Sequence, residues 1–173
     1  MSAPRRVVTG EDAAGQSVVV SDGPVAGYYE LASRGGLSLA AVFELAVPPE
    51  VAGDGGDAAE ELTLVPGPGM ARVIRTVHPP ERLVEGHAGG GPAPDGTADR
   101  ARYFDPSRGE HMHATPTIDV LVVASGRIDL LLDTERVHLE AGDSVVQRAT
   151  WHSWANPYDE PCVMVGINFA LPD

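Results

Sequence analysis

Four side chains in the second half of the chain have the types and spacing of a reaction centre: His111, His113, Asp119 and His152. Two of them arrive in Gly109-Glu110-His111-Met112-His113, which leads to the third, Asp119, and to Gly126; the fourth, His152, follows Gly142-Asp143 and precedes Asn156. Imidazole nitrogens and carboxylate oxygens are the donors that divalent metals accept, so such a set can converge on one ion. The same groups can also work without a metal, because histidine titrates close to neutrality and moves protons as acid or base. In an extended segment, residues two apart share a face, so His111, His113 and Thr115 are expected to point one way. Pro116 is expected to bend the strand and help re-aim Asp119 toward the same point. His152 lies just past a strand end, where a side chain sits at a rim and looks inward.

Thr115, Thr117, Arg148, Trp151 and Trp154 are the candidate pocket residues around this centre. Arg148 suits a bidentate grip on a substrate carboxylate, or a pairing with an acid. Trp151 and Trp154 read as pocket wall, core or subunit interface. Asp119 can alternatively accept hydrogen bonds from Thr115 or Thr117. His138, between Val137 and Leu139, reads as a hydrogen-bonded wall residue, and His78 and His87 as solvated residues at loop edges. Cys162 is the single cysteine, so it can form neither an internal disulfide nor a thiolate cluster, and its run Cys162-Val163-Met164-Val165 marks it as a small core residue.

The elements that must position these groups read as strands. Ile118–Val123, Ile128–Leu132, Val137–Leu139, Ser144–Gln147 and Val163–Leu171 are short apolar or alternating runs separated by turn chemistry such as Ala124-Ser125-Gly126 and Glu140-Ala141-Gly142-Asp143. Upstream, Arg5–Thr9 and Ser17–Ser21 suit an N-terminal hairpin, and Met70–Val77 is a strand entered through Gly67-Pro68-Gly69 and closed by Pro79-Pro80. Leu37–Val47 leaves helix and strand both open. Ala52–Glu60 reads as a flexible surface link, and Gly86–Asp99 as a mobile glycine-rich loop near the mouth of the pocket. Short strands without helical periods predict an all-β single domain over residues 1–173, an antiparallel β-barrel or jelly roll, with its motif core at 109–171 and N-terminal strands and loops at 1–108.

With those residues in view, the chain resembles the small single-domain cupins. Their first motif reads G, five residues, H-x-H, three or four residues, E, six residues, G, and their second ends P-x-G-x-x-H-x-x-x-N. His113 falls in the first histidine slot, Thr115 in the second, Asp119 in the glutamate slot, then Gly126, His152 and Asn156 in theirs. The chain looks closest to a subset with H-x-T-x-T-x-D (His113 to Asp119) and Q-R-G-T-x-H-x-W-x-N (Gln147 to Asn156, with Ala149 where glycine is usual). Thr115 in place of a histidine ligand and Asp119 in place of glutamate are departures. The resemblance implies a metal site on His113, His152 and Asp119, with His111 able to stand in for the missing histidine. The implied metal is iron, manganese, zinc or nickel, or none is bound.

Bulk composition narrows the partners. The 25 acids against 12 bases give a net charge of −13, which repels a phosphate backbone, so nucleic acid is not an expected partner. All 12 basic residues are arginine, which excludes an internal lysine Schiff base and with it the usual pyridoxal phosphate attachment. No apolar run is long enough to span a membrane and the first residues lack an export signal, so a cytoplasmic protein is expected. Both faces of Val120–Val123 are apolar, which suggests a homodimer. Three functions stand open: a metal-assisted tailoring enzyme that decarboxylates, oxygenates or moves a proton on a small oxygenated, polyketide-like or aromatic acid or ketone; a metal-free binding module that senses or carries a small molecule; and a metal-independent acid–base isomerase or dehydratase using His113, Asp119 and His152.

Overall fold

Runs of β-branched residues bounded by glycine and proline become strands here because neighbouring strands satisfy their backbone donors and acceptors. The computed structural model describes residues 3–11, 13, 16–46, 65–84, 104–105, 107–109 and 111–171, and contains no α-helix among them. β1 (Arg5–Glu11) and β2 (Ser17–Pro24) form the expected antiparallel N-terminal hairpin. β3 (Gly27–Leu31), which sequence patterning did not mark, leads through a 3-10 turn at Ala32–Arg34 into β4 (Leu37–Ala46). The open choice at Leu37–Val47 thus resolves to strand, because β4 is paired along both edges, with β3 and with β5 (Met70–His78). The expected link at 52–60 and the glycine-rich loop at 86–99 lie outside the described residues.

The motif half follows as β6 (Thr117–Ser125), β7 (Arg127–Leu131), β8 (Arg136–Glu140), β9 (Ser144–Arg148), β10 (Ser153–Ala155) and β11 (Cys162–Ala170). A six-stranded sheet runs β3-β4-β5-β11-β6-β9, and a three-stranded sheet runs β10-β7-β8. Every pairing is antiparallel. The main apolar core lies between these sheets, where Val123 and Met164 of the larger meet Ile128, Leu130 and Leu139 of the smaller, with Cys162 buried among them. The all-β antiparallel architecture expected from the strand patterning is the one observed.

Alternation on β6 sorts its two faces. Thr117, Asp119, Leu121 and Val123 are buried, whereas Val120 and Val122 are about two-fifths exposed. Across the sheet, Val120 pairs with Val146 and Val122 with Val165, both also exposed, so an apolar patch covers this outer face. Gly126 closes the β6–β7 turn at φ +77°, and a side chain there would lie 2.5 Å from the carbonyl oxygen of Pro161. Close approach together with left-handed backbone explains the motif glycine at this position.

Candidate functional site

His113 and His152 meet through their backbones before their rings do. His113 N–H donates to the carbonyl of His152 and His152 N–H donates to that of His113, each at 2.9 Å, an isolated antiparallel bridge that pins the two motifs together. The ring centroids are then 4.2 Å apart. Phe104 stacks on His113 at 5.2 Å, and Trp154 meets His152 edge-on at 5.9 Å.

Each ring is also held from behind. Nδ1 of His113 lies 2.9 Å from the carbonyl of His111, and Nδ1 of His152 lies 2.9 Å from the carbonyl of Thr150. A carbonyl only accepts, so both Nδ1 atoms carry the proton and both Nε2 atoms keep a lone pair. Burial pushes His113 down to about 4; the charges of His152, Arg34 and His111 push the same way, and the hydrogen bond to the His111 carbonyl pulls against them. Burial lowers His152 as well, outweighing the opposing contact with the Thr150 carbonyl and the charge of Asp119. At neutral pH both are therefore uncharged bases.

The rings open into a cavity of about 280 Å³ enclosed by the larger sheet, β10 and the segment around Phe104. That volume sits at the small end of ligand pockets, which run from about 300 Å³ upward. Asp119 faces into it from β6 and is 7% exposed, with Oδ1 sequestered and unpartnered. Burial raises its pKa, and hydrogen bonding from Asn168 and Thr117 pulls against that rise. In the register of the sheet, Asn168 of β11 stands between Asp119 of β6 and Arg72 of β5.

Of the residues expected here, His111, His113, Thr115, Asp119, His152 and Trp154 line one cavity. Three expected pocket residues do not. Thr117 is buried and bonds Thr115 through the two hydroxyls at 2.8 Å, so it supports the wall without forming it. Arg148, at the end of edge strand β9, is exposed to solvent. Trp151 lies beneath the guanidinium of Arg108, 4.8 Å from its ring centroid. The shared strand face for His111 and His113 also fails, because His111 has φ +59° and sits in a turn, where its carbonyl lies against Nδ1 of His113. Pro116 does bend the chain, and Ala149, in the usual glycine slot, has φ +53°.

Patterning also missed several lining residues. His78, expected in solvent, has Nε2 sealed from water, and desolvation lowers it to about 4. It ends an inward row on β5, Arg72, Ile74, Thr76 and His78, whose period of two was the available signal. Arg34 enters the cavity from the 3-10 turn, and no motif marks it. Its place depends on Gly35, where φ is +64° and a side chain would come within 2.8 Å of the Leu83 carbonyl. His138 is the hydrogen-bonded residue expected, 2.8 Å from Asp129, although its side chain is largely exposed. Asn156, the last motif residue, is a clamp: its amide donates to the carbonyls of His78 and Glu160, each at 2.9 Å, and its oxygen accepts from Tyr158 N–H at 3.1 Å.

The donor set does not complete a metal centre. Among the described residues no group of three or more histidine, cysteine, aspartate or glutamate side chains is gathered to hold an ion. Two imidazoles meet, but the third nitrogen slot is Thr115, whose hydroxyl is engaged with Thr117. Catalytic sites commonly use three protein ligands. The four-residue set of His111, His113, Asp119 and His152 is thus a shared cavity lining and not a ready coordination sphere.

Residues 103–168 match the Cupin_2 family, described as Cupin domain. Two proteins of Diaporthe leptostromiformis, Phomopsin biosynthesis cluster protein C' and protein D, are each 44% identical over 64 residues. That stretch is 36% of this chain and 34% of theirs, so the chain matches about a third of the length of these relatives. Among solved structures, a Cupin 2 conserved barrel domain protein from Salinispora arenicola is similar over 79% of this chain and 82% of its own, at 17% identity and TM-score 0.40. A putative ethanolamine utilization protein Q from Salmonella typhimurium covers 98% of each chain at 7% identity and TM-score 0.45. Among the described residues no helix is long and apolar enough to cross a membrane.

Proposed function

We propose that this chain, a cupin-type barrel whose residues 103–168 are a Cupin_2 domain, is a small-molecule tailoring enzyme that moves a proton on an oxygenated acid or ketone without needing a metal. The observation that carries this reading is the His113–His152 pair, two neutral imidazoles with their Nδ1 protons tied back to carbonyls and a lone pair on each Nε2. Asp119 faces the same cavity, and its charge opposes part of the lowering that burial imposes on His152. The names of the Diaporthe relatives, which refer to a biosynthesis cluster, support a place in secondary metabolism.

In this mechanism Nε2 of His113 or His152 takes a proton from the carbon beside the substrate carbonyl. The C–H bond breaks, an N–H bond forms, and the electron pair moves to the carbonyl oxygen, leaving an enolate beside the imidazolium. The enolate then regains a proton at carbon from the imidazolium, so the enzyme is restored. With a pKa of about 4, His113 is a weak base in the empty cavity. An anionic substrate would raise it through opposite charge, strengthening the base only when the site is filled.

Deuterium uptake at the α-carbon of small 3-oxo acids and 1,3-diketones, followed by NMR in D2O with chelator present, tests the proposal. Exchange should persist with chelator and fall by about 10²-fold or more in His113→Gln and His152→Gln. Loss of exchange on chelation with recovery on adding a divalent ion would refute the reading. Tight ligand binding without exchange would do so as well, in favour of a sensor or carrier.

A further inference from the structure

We propose that Arg108 is a positioning residue for the histidine pair: it pins the segment from Phe104 to His113 against the second histidine motif and thereby keeps the proton of His113 on Nδ1. Its effect on turnover rests on the proton-transfer reading; its effect on the ring does not. Trp151 flanks His152 in the second motif yet stays out of the cavity. The guanidinium of Arg108 lies over that indole, 4.8 Å from the ring centroid. The same guanidinium donates through one terminal nitrogen to both carboxylate oxygens of Asp133, at 3.1 and 3.0 Å, and its Nε lies 3.5 Å from Asp105.

An exposed ion pair by itself holds a chain weakly. Arg108 is gripped instead by two carboxylates and an indole face, and two of these anchors belong to other elements. Asp133 lies in the β7–β8 turn, and Trp151 in the stretch between β9 and β10 that also carries His152. The segment that Arg108 pins is closed on itself. Asp105 N–H donates to the carbonyl of Met112 at 3.2 Å, Arg108 N–H to that of Asp105 at 3.2 Å, and Met112 N–H to that of Gly109 at 3.3 Å. A compact loop with its ends together is packed by its own residues, so a tie at Arg108 is felt at its neck.

The neck carries the groups that matter to the reaction. Phe104 and His113 form a backbone bridge there, and their rings stack with centroids 5.2 Å apart. The carbonyl of His111, three residues beyond Arg108, lies 2.9 Å from Nδ1 of His113. The partner of one ring nitrogen decides which nitrogen carries the proton, so this carbonyl is what leaves the lone pair of His113 on Nε2. His152 has no such dependence on the segment, because its Nδ1 faces the carbonyl of Thr150 in the other motif. Releasing Arg108 should therefore loosen one ring and spare the other.

Long-range 1H–15N correlation spectra of the 15N-labelled full chain at neutral pH read the tautomer of each ring, with His113→Gln and His152→Gln assigning the signals. Both rings are expected as the Nδ1–H form in the wild type. In Arg108→Gln, and in Asp133→Asn, which breaks the same contact from an exposed turn, His113 should become a mixture of tautomers while His152 keeps its own. Arg82→Gln, which removes another exposed arginine paired with Asp159, should change neither ring. In Arg108→Gln the kcat for α-carbon exchange should fall about tenfold or more with KM nearly unchanged, the pattern of a misplaced group and not of lost binding. A wild-type His113 protonated at Nε2, an unchanged His113 tautomer in Arg108→Gln, a change shared by both rings, or an undiminished kcat would overturn the proposal. The tautomers are read without substrate, so a shift confined to His113 supports the positioning role even where the wild type shows no exchange, an outcome that defeats the proton-transfer reading alone.

Discussion

The stability of this fold should fall steeply in mild acid, and two histidines set the size of the effect. His78 and His113 are each lowered to about 4 in the fold, chiefly by burial, against about 6.5 in an unfolded chain. Between those values the unfolded state binds the extra proton, so stability rises with pH, is complete above about 6.5 and is lost as pH falls toward about 4. A difference of about 2.5 units at about 1.4 kcal/mol per unit gives about 3–4 kcal/mol for each histidine, or about 7 kcal/mol for both. That is comparable with the whole stability of an ordinary domain, about 5–15 kcal/mol. The combined slope approaches about 2.7 kcal/mol per pH unit in the middle of the window. Asp119 works in the opposite sense: its raised pKa lends stability at low pH that is lost as pH rises through its folded value. Urea unfolding followed by far-UV circular dichroism from pH 4.5 to 7.5 measures the slope directly. His78→Gln removes one titrating group and should lower the slope by about 1.4 kcal/mol per pH unit. Parallel slopes in the two proteins, or a flat wild-type profile below pH 6.5, would refute the reasoning.

Three further outcomes are expected. Asn156→Ala should lower stability by about 2–4 kcal/mol in urea titration, because three hydrogen bonds are lost at a residue 3% exposed and the abandoned carbonyls of His78 and Glu160 are left without them; a change within 0.5 kcal/mol would count against the clamp. Cys162 is fully buried and its thiol is pushed up to about 11, so thiol reagents at pH 8 should label the protein only on unfolding, and rapid labelling of the native form would contradict its core position. A homodimer through the outer face of β6, β9 and β11 should dissociate on Val146→Asp, read by sedimentation velocity; a wild type that sediments as a monomer disposes of that assembly.

Much of this was legible in the residues because it is local. Strand alternation, turn glycines and the spacing from His113 to Asp119 and from Gly142 to His152 all act over short distances along the chain, and they mark an all-β barrel carrying two histidine motifs. The encounter of His113 with His152 followed from matching those motifs to a fold. What patterning misjudged was orientation. Arg148 and Trp151 flank His152 in sequence, yet the exposed end of an edge strand and a stacked guanidinium keep both out of the cavity. His111 loses the face it was expected to share because its own φ is positive.

By itself, then, the chain determined its repeating periods, its turns and the identity of the two imidazoles that meet. Only the tertiary structure decided which other polar groups join them. β5 reaches the motif strands through β11, a partner about ninety residues away, so the inward row of Thr76 and His78 and the turn bearing Arg34 become neighbours of the site only once the sheet is assembled. Long-range strand pairing sets those contacts, and desolvation inside the cavity gives the histidines and Asp119 their altered acidities, which no window of sequence contains.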